Sequence, residues 1–345
     1  MNSGRCDNCG SEKSENMLSI CIPTYNRSDY LDQCLASLVP QALECQIPIY
    51  LSDNASSDNT QQVIQKYKAI YTKIFSFKQE ANLGHDLNHK SVITMATTEF
   101  AWLLGDDDIV LSGSLQKVIH FLESTPNCEL LLLNAIRTDN DLRPRGMQFQ
   151  VDQDVFITDC NDLLVHHSDK LTFGMIIINS RLFNSSDADK FLGTAHYYGG
   201  GVYEYLANNF ARHHCNCIVI LKDPMVYLRQ GERCWSHEIG DIVVRQTPEF
   251  FKRLPPLFEV NKLKAMTSSV RSYRILYVLL RLRAEGWLDA DKERELYQYY
   301  ISVRFRFMAM CRMPIFIAQM LTTIAIYAAV IIKSVKRKMH NRIIA

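Results

Sequence analysis

Three adjacent aspartates, Asp106, Asp107 and Asp108, are the most distinctive chemical feature of the sequence. They follow a strongly apolar run at residues 102–104 and precede a predicted helix. Crowded carboxylates repel one another, and a hard divalent cation such as Mg²⁺ or Mn²⁺ offsets that repulsion while keeping coordination positions open for phosphate oxygens. The cluster therefore predicts a metal site, and the alternative is a solvated turn that caps the next helix.

Polar side chains also follow the first predicted strand, at Thr24, Tyr25 and Arg27. An arginine guanidinium can pair with a phosphate group, and a tyrosine ring can stack on a nucleobase. Asp53 ends the second predicted strand, where its carboxylate would accept hydrogen bonds from a nucleobase or a ribose. The alternative for Asp53 is an Asx turn into the following helix. Gly84 lacks a side chain, so its backbone would come close to a ligand.

An alternating pattern of strands and helices determines where these clusters lie. Apolar runs predict strands at residues 18–23, 47–51, 74–77, 100–104 and 129–133, and amphipathic stretches predict a helix after each of the first four. That alternation predicts an α/β fold with a mostly parallel, doubly wound sheet. Because ligands bind beyond the carboxyl ends of such strands, residues 24–27, 52–56 and 106–108 should converge on one crevice.

Beyond residue 134 the pattern is less regular. It predicts strands at 175–178 and 218–221, a helix at 202–211, a polar loop at 229–240 and a mainly helical stretch at 250–300. A glycine- and aromatic-rich segment lies at 193–201. The predicted division begins with a flexible tail at 1–16 and a globular domain at 17–245, with halves 17–133 and 134–245. A helical region at 246–312 and an apolar, basic, membrane-associating tail at 313–345 follow.

Four motifs occur together in the first part of the chain: Pro23-Thr24-Tyr25-Asn26-Arg27, Ser52-Asp53-Asn54-Ala55-Ser56-x-Asp58, Asn82-x-Gly84-x-x-x-Asn88 and Gly105-Asp106-Asp107-Asp108. In their order and spacing they resemble the motifs of family 2 glycosyltransferases, which have the GT-A fold. Within that family the chain looks most similar to abequosyltransferase-type enzymes of bacterial O-antigen assembly. The resemblance covers residues 18–123 and implies a GT-A glycosyltransferase fold for the globular domain, with 17–133 as its nucleotide-sugar half and 134–245 as its acceptor half.

The resemblance also implies roles for individual residues. The nucleotide-sugar donor would contact Thr24, Tyr25, Arg27, Asp53, Asn82, Gly84 and Asn88. Asp106 would contact the ribose, while Asp107 and Asp108 would hold the Mg²⁺ or Mn²⁺ that bridges the diphosphate. The family commonly has Asp-x-Asp-Asp where this chain has Gly105-Asp106-Asp107-Asp108, which leaves the metal-binding pair open. Alignment to the following helix favours Asp107 and Asp108.

Inverting sugar transfer also needs a general base that deprotonates the acceptor hydroxyl. In the family this carboxylate lies beyond the aspartates at the start of a helix, and Glu204 fits that description. One alternative is that Glu204 is a first-turn glutamate stabilised by the helix dipole. Other candidates for the base are Asp187, Asp189, His196 and Glu238.

The predicted loop at 229–240 contains three residues that suit contact with a diphosphate. These residues are Arg229, Arg233 and Trp235. A loop that closes over the diphosphate would act as a lid, because it would keep water away from the reacting atoms.

The charge distribution sets the C-terminal end apart. The 345 residues carry 38 basic and 37 acidic side chains, yet residues 296–345 contain eight basic and no acidic ones. Residues 313–332 carry no charge, and a helix of that length spans about 30 Å, the thickness of a bilayer core. Three interpretations stay open: a membrane-spanning helix, a helix lying in the interface beside anionic lipid, and a buried or dimer-forming helix.

Composition excludes several classes of protein. Hydrophobic residues make up 47% of the chain and charged residues 22%, which excludes a disordered protein. Basic charge is not spread over the body, so nucleic acid is not an expected partner. No signal peptide is recognisable, and many of the eleven cysteines lie in or beside apolar segments, so a reducing cytosolic setting is expected. Cys6-x-x-Cys9 resembles only half of a zinc ribbon, which favours a mobile tail.

Together these observations predict a metal-dependent glycosyltransferase at the cytoplasmic face of the bacterial inner membrane, peripheral or single-span through its tail. It would move a sugar from a nucleotide-sugar donor to a hydroxyl of a lipid-linked saccharide, in O-antigen-type polysaccharide synthesis. One alternative is a nucleotidyltransferase of sugar activation, although residues 23–27 stand where its Gly-x-Gly-x-x-x-Arg loop would be. The other alternative is a non-catalytic membrane adaptor that retains the fold.

Overall fold

A computed structural model of the chain describes residues 16–230, 246–262 and 312–323, together with positions 242, 265, 279, 280, 282–284, 286 and 288 between them. The chain divides into two compact units. The first comprises Met1–Cys234 and Lys252–Asn261, and the second comprises Trp235–Phe251 and Lys262–Ala345. The domain boundaries drawn from the sequence at 245 and 312 stay predictions.

In the described part of the chain, ten strands form one sheet. The strands are β1 (Leu18–Thr24), β2 (Ile49–Asp53), β3 (Ile74–Lys78), β4 (Phe100–Leu103), β5 (Ile109–Val110), β6 (Leu130–Thr138), β7 (Pro144–Met147), β8 (Val155–Ile157), β9 (Ile176–Asn179) and β10 (Ile218–Arg229). Their order across the sheet is β3-β2-β1-β4-β9-β6-β10-β5, while β7 pairs with β6 and β8 pairs with β10.

Helices lie between the strands in the chain, and another follows the last strand. They are α1 (Ser28–Cys45), α2 (Thr60–Ile70), α3 (His85–Met95), α4 (Ser114–Ser124), α5 (Cys160–His167), α6 (Ser180–Asn184), α7 (Tyr197–His213) and α8 (Thr247–Arg253). Short 3₁₀ turns lie at Ser168–Lys170, Ala188–Phe191 and Pro256–Phe258. In α1 the buried side chains include Leu31, Cys34, Leu35 and Leu38. Their spacing is that of an amphipathic helix with one face against the core.

The direction of the strands confirms the predicted α/β class. β1, β2, β3 and β4 are parallel neighbours, as the alternation of strands and helices predicts. β9 runs antiparallel to both β4 and β6, so β6 points in the same direction as β4. β10 is parallel to β6. The sheet is therefore mostly parallel, and the carboxyl ends of β1, β2, β4 and β10 lie at one edge.

Long-range contacts account for the elements that differ from the prediction. α7 begins at Tyr197 rather than at residue 202, so it includes the three glycines at the end of the glycine- and aromatic-rich segment. β10 continues past residue 221 to Arg229, because it pairs with β6, β8 and β5 along its length. Arg229 is therefore the last residue of a strand and not part of the predicted loop.

The core of the first unit consists mainly of apolar strand residues. Trp102 in β4 is fully buried, and its indole N–H donates a hydrogen bond to the carbonyl of Gly174 at 2.9 Å. No helix among the described residues is both long and apolar enough to cross a membrane. Several predicted features lie outside the described residues: Cys6, Cys9, Arg233, Trp235, Glu238, most of 250–300 and the tail from 324 onward.

Candidate active site

Residues that follow β1 meet the aspartates that follow β4. The hydroxyl of Thr24 donates to Asp106 Oδ2 at 2.8 Å. The guanidinium of Arg27 donates from Nη1 to Asp106 Oδ1 at 2.9 Å and from Nη2 to Asp107 Oδ2 at 2.6 Å. Arg27 thus binds two carboxylates in this structure, and its predicted contact with phosphate stays a prediction. Tyr25 is half-buried at the same strand end, and its stacking on a base is likewise a prediction.

Asp108 is joined to the end of β10. Its Oδ1 accepts the backbone N–H of Arg229 at 3.1 Å, because β5 pairs antiparallel with β10. The guanidinium of Arg229 lies 4.8 Å from the ring centroid of Tyr30, and that of Arg27 lies 4.9 Å from the same centroid. Tyr30 therefore contacts two guanidinium groups beside the aspartates. Sequence reasoning missed it, since Tyr30 looks like an ordinary position of an amphipathic helix.

Two carboxylate oxygens of the cluster, Asp107 Oδ1 and Asp108 Oδ2, accept no hydrogen bond from the described residues. A Cβ placed on Gly105 would lie 3.1 Å from Asp107 Oδ1 and 2.7 Å from Asp108 Oδ2, so both oxygens border the same small space. A Cβ placed on Gly174 would lie 2.2 Å from Asp108 Oδ2. Two glycines therefore leave room around a pair of converging carboxylate oxygens.

This pair of oxygens fits a hard divalent cation. Mg²⁺ commonly takes one or two carboxylates from a protein and completes its shell with water and substrate phosphate, and Mn²⁺ also favours oxygen ligands. Within the described ranges, no group of three or more histidine, cysteine, aspartate or glutamate side chains is arranged to hold a metal ion. Asp107 and Asp108 would therefore be the two protein ligands, with the other positions left to phosphate oxygens and water.

Burial changes the protonation of this cluster. It raises the pKa of Asp106 to about 7, although the Arg27 guanidinium acts in the opposite direction. Burial and the adjacent charge of Asp107 raise the pKa of Asp108 well above its ordinary value. A cation bound among these carboxylates favours their ionised form, so metal binding and deprotonation would occur together.

Asp53, the last residue of β2, is fully buried. Its Oδ1 accepts the backbone N–H of Ser56 at 2.9 Å, and its Oδ2 accepts the side-chain amide of Gln61 at 2.5 Å. These are the contacts of a turn that leads into α2, which was the alternative interpretation of this residue. A contact between Asp53 and a nucleobase or ribose stays a prediction.

The segment before α3 is attached to the turn after β2. The side-chain amide of Asn54 donates to Asn82 Oδ1 at 2.8 Å and to the carbonyl of Gly84 at 3.3 Å. Gly84 has a φ of +82°, which L side chains rarely adopt. Asn88 in α3 is buried and donates to the carbonyl of Thr24 at 3.3 Å. The structure thus brings Asn82, Gly84 and Asn88 to the ends of β1 and β2.

Glu204 lies seven residues after the start of α7. The first-turn interpretation of this glutamate is therefore wrong, and so is its expected position at the start of a helix, which was the reason for choosing it as the base. Its carboxylate pairs with Lys190 Nζ at 2.5 Å. Of the other candidates, Asp189 pairs with a lysine of α3, and burial lowers the pKa of His196 to about 4. The assignment of the base stays a prediction.

A cluster of three aromatic rings lies beside Gly174. The ring of His89 in α3 stacks on Phe173 with 4.3 Å between centroids. Tyr198 in the first turn of α7 contacts both, at 5.4 Å from His89 and 5.0 Å from Phe173. Burial lowers the pKa of His89 to about 3, so its ring is neutral at physiological pH. No motif marks this cluster, because its members come from three separate segments.

Comparison with known proteins agrees with this geometry. A model of glycosyl transferase family 2 matches residues 19–192, just over half of the chain. Abequosyltransferase RfbV of Salmonella typhimurium is 28% identical over 195 residues, which cover 52% of this chain and 58% of that protein. The GalNAc(5)-diNAcBac-PP-undecaprenol beta-1,3-glucosyltransferase of Campylobacter jejuni is 33% identical over 103 residues, which cover 30% of this chain and 33% of that protein. The matches span less than two thirds of the length of these relatives.

A solved structure shares the fold. S. aureus TarS, residues 1–349 in complex with UDP-GlcNAc, has a TM-score of 0.58 at 15% sequence identity, covering 85% of this chain and 90% of that chain. At this level of identity the similarity concerns the fold alone. The GT-A fold implied by the sequence motifs is confirmed.

Proposed function

Because this chain belongs to glycosyl transferase family 2, we propose that it transfers a sugar from a nucleotide-sugar donor to a hydroxyl group of a lipid-linked saccharide, with Mg²⁺ or Mn²⁺ as cofactor. The observation that carries the proposal is the pair of converging oxygens, Asp107 Oδ1 and Asp108 Oδ2, in a space bordered by Gly105 and Gly174. They lie just beyond the carboxyl end of β4, which is where ligands bind in sheets of this kind.

In this proposal the residues around the aspartates orient them for the donor. Thr24 and Arg27 hold Asp106 and one oxygen of Asp107, and the N–H of Arg229 holds one oxygen of Asp108. The remaining oxygens are left for Mg²⁺ or Mn²⁺. The bound ion would supply electrostatic stabilisation of the charge on the leaving nucleoside diphosphate.

The donor nucleotide would lie along the ends of β1 and β2. Thr24, Tyr25, Arg27, Asp53 and Asp106 border this edge, and Asn82, Gly84 and Asn88 are attached to it. The S. aureus TarS structure is a complex with UDP-GlcNAc, which supports a nucleotide sugar as the class of donor. Arg229 ends β10, and we propose that it forms a lid over the diphosphate with Arg233 and Trp235, which lie outside the described residues.

The acceptor hydroxyl would lose its proton to a carboxylate, for which Glu204 remains our candidate. Its ion pair with Lys190 at 2.5 Å would have to open or shift for the carboxylate to reach a hydroxyl. We infer a lipid-linked acceptor because the named relatives include an abequosyltransferase and an enzyme whose acceptor carries PP-undecaprenol. O-antigen-type polysaccharide synthesis is the setting that this acceptor suggests.

An acceptor of this kind places the enzyme at a membrane. We propose attachment to the cytoplasmic face of the bacterial inner membrane through residues 313–345, either on the surface or by a single span. Eight basic and no acidic residues in 296–345 support attraction to anionic lipid. The family assignment favours sugar transfer over nucleotidyl transfer, and an assay of turnover separates an enzyme from a non-catalytic adaptor.

The test is hydrolysis of a panel of nucleotide sugars by the purified protein with Mn²⁺, because slow donor hydrolysis needs no acceptor. We expect one donor to be hydrolysed, with loss of activity in EDTA. Asp107→Ala should lower the rate by about 10²- to 10³-fold, the usual effect of removing a preorganised electrostatic contact. Asp107 suits the test because Arg27 is its only hydrogen-bond partner among the described residues.

Asp152→Ala is the matched control, since Asp152 is an exposed aspartate outside the site. It should hydrolyse the donor at the wild-type rate. Mn²⁺-dependent hydrolysis that survives in Asp107→Ala would contradict the metal assignment. A wild-type protein that hydrolyses no member of the panel and transfers none of their sugars would favour the adaptor.

A further inference from the structure

A single carboxylate of α3 holds the turn that begins α7. Asp86 is buried, and its Oδ2 accepts the backbone N–H groups of Gly193 and Ala195 at 2.9 and 3.1 Å. Its Oδ1 accepts the N–H of Tyr197 at 3.3 Å. These donors lie more than 100 residues away in the sequence, so the contact is a tertiary one between two parts of the fold.

The turn that Asp86 holds is not one that its own sequence favours. Ala195 has a φ of +63°, a conformation that costs free energy for a residue with a side chain. The first N–H groups of a helix also lack partners within the helix, and a negative charge there is stabilising. Asp86 supplies both acceptors and charge, so removing it would release the turn and the first residues of α7.

α3 is at the same time attached to the donor side of the site. Asn88, two residues after Asp86, accepts from Ser52 Oγ at 2.7 Å and donates to the carbonyl of Thr24 at 3.3 Å. Ser52 and Thr24 lie at the ends of β2 and β1, where the donor nucleotide is proposed to bind. One helix therefore contacts the donor side through Asn88 and the start of α7 through Asp86.

The start of α7 in turn reaches the neighbourhood of the aspartates. Tyr198 packs against Phe173 at 5.0 Å between centroids. The next residue, Gly174, touches Asp108, since a Cβ there would lie 2.2 Å from its Oδ2. A shift in the first turn of α7 would therefore displace the aromatic cluster that stands beside the proposed reaction site.

We propose that Asp86 is a positioning residue for sugar transfer. By accepting three backbone hydrogen bonds, it sets the first turn of α7, and with it the acceptor side of the site, at a fixed distance from the donor side. Asp86 itself touches neither substrate. This role rests on the proposed transfer function, because it concerns how an acceptor is held for that reaction.

The test compares Asp86→Asn with wild type in two reactions that use the same donor, namely sugar transfer to an acceptor and hydrolysis of the donor. The donor is the nucleotide sugar that the wild type hydrolyses, and the acceptor is a polyprenyl-diphosphate-linked saccharide fraction from bacterial membranes. Asparagine keeps the shape of aspartate but offers one acceptor oxygen instead of two, so at least one N–H loses its partner. We expect kcat for transfer to fall about 10- to 100-fold, because small misplacements are costly in positioned reactions. Donor KM and donor hydrolysis should stay within about twofold.

A purely structural role would lower hydrolysis and transfer together, in proportion to the folded fraction, and that result would overturn the proposal. Hydrogen exchange supplies an independent readout, since at least one of the amides of Gly193, Ala195 and Tyr197 should lose protection in Asp86→Asn. Asp162→Asn, an exposed aspartate in the first turn of α5, is the matched control and should change neither reaction.

Asp86→Glu provides a second variant if Asp86→Asn does not fold. It keeps both oxygens and the charge, so it should fold and recover part of the transfer rate. Two outcomes would contradict the role of Asp86 but not the proposed function, because the wild type would still be active. They are transfer at the wild-type rate in Asp86→Asn and no recovery of the transfer rate in a folded Asp86→Glu. A wild type without either reaction would contradict the proposed function and this role with it.

Discussion

Asp108 occupies space that a side chain at position 174 would need. Gly174 has a φ of +106°, and its backbone is fixed by two hydrogen bonds, from Gly174 N–H to Leu103 at 2.7 Å and from the indole of Trp102 to its carbonyl at 2.9 Å. The glycine therefore cannot move away easily. The direction in which the Asp108 carboxylate points depends on the absence of a side chain 66 residues later in the sequence.

Gly174→Ala should weaken binding of a divalent cation. The new methyl group would lie 2.2 Å from Asp108 Oδ2 and would force the carboxylate away from its partner oxygen on Asp107. We expect Mn²⁺ affinity, measured by isothermal titration calorimetry, to fall at least about tenfold, the equivalent of roughly 1.4 kcal/mol. The free energy of unfolding should also fall by about 1–3 kcal/mol through overpacking and the positive φ.

Gly113→Ala separates these two causes. Gly113 has a φ of +76°, yet a Cβ there meets nothing within 4 Å. It should lose stability through backbone strain alone and keep the Mn²⁺ affinity of the wild type. Equal Mn²⁺ affinity in Gly174→Ala and wild type would show that Asp108 does not bind the ion through this oxygen.

At the scale of elements, the glycines of α7 show why its start was predicted five residues too late. A run of three glycines predicts a loop, because glycine lowers helix propensity by about 1 kcal/mol per residue. In the structure these residues are helical and buried, and α7 packs closely on its neighbours there. A Cβ on Gly200 would lie 2.0 Å from Phe191, and one on Gly201 would lie 2.4 Å from Phe183.

Alanine substitutions in this run should therefore have opposite effects at adjacent positions. Gly200→Ala should lower the free energy of unfolding by about 1–3 kcal/mol, because the clash with Phe191 outweighs the gain in helix propensity. A Cβ on Gly199 would meet no atom of the described residues within 4 Å, so Gly199→Ala should raise stability by about 0.4–1 kcal/mol. Urea denaturation of both variants measures the difference. Two variants of equal stability would refute close packing as the reason for the glycines.

The elements that could be predicted from the sequence are those set by local patterns. β1 to β4 and the helices after them follow from apolar runs and amphipathic spacing, and the motifs at their ends identified the family. β9 enters the sheet antiparallel, and β5 exists only because it pairs with β10. Such pairings depend on partners far along the chain, which periodicity cannot report.

The residues of the candidate site also form two groups, those marked by local sequence motifs and those placed by long-range contacts. Asp106, Asp107, Asp108, Asn82 and Asn88 could be proposed from the sequence because their motifs are contiguous or closely spaced, and their roles stay predictions. Residues that the structure adds lie in no such motif. Gly174 and Asp86 act through tertiary contacts with Asp108 and with the start of α7. Their residue types carry no signal of their own, so only the folded arrangement reveals them.

At the scale of the whole molecule, charge is unevenly distributed. Residues 1–295 carry 30 basic and 37 acidic side chains, whereas residues 296–345 carry eight basic and none acidic. An anionic membrane surface attracts each basic residue near it by about 1 kcal/mol. The uneven distribution would orient the chain with its C-terminal end toward such a surface.

Replacing Lys333, Lys336, Arg337 and Lys338 with glutamine should therefore release the protein from anionic lipid. We expect the wild type to sediment with phosphatidylglycerol vesicles at low salt and the fourfold variant to remain in the supernatant. Donor hydrolysis should be unchanged. The double variant Lys117→Gln and Lys222→Gln, which removes exposed charges from the body, should still bind. Undiminished binding of the fourfold variant would contradict an electrostatic role for the tail.

The bond between Asp108 and Arg229 has a consequence for the order of events during synthesis on the ribosome. The two residues are 121 positions apart, and at roughly 5–20 residues per second the second emerges about 6 to 24 s after the first. Among the described strands β5 pairs with β10 alone, so it has no such partner until β10 has been made. The nascent chain therefore carries its three aspartates without their final arrangement while 121 of its 345 residues are added, and a chain that stops before residue 229 cannot complete the site.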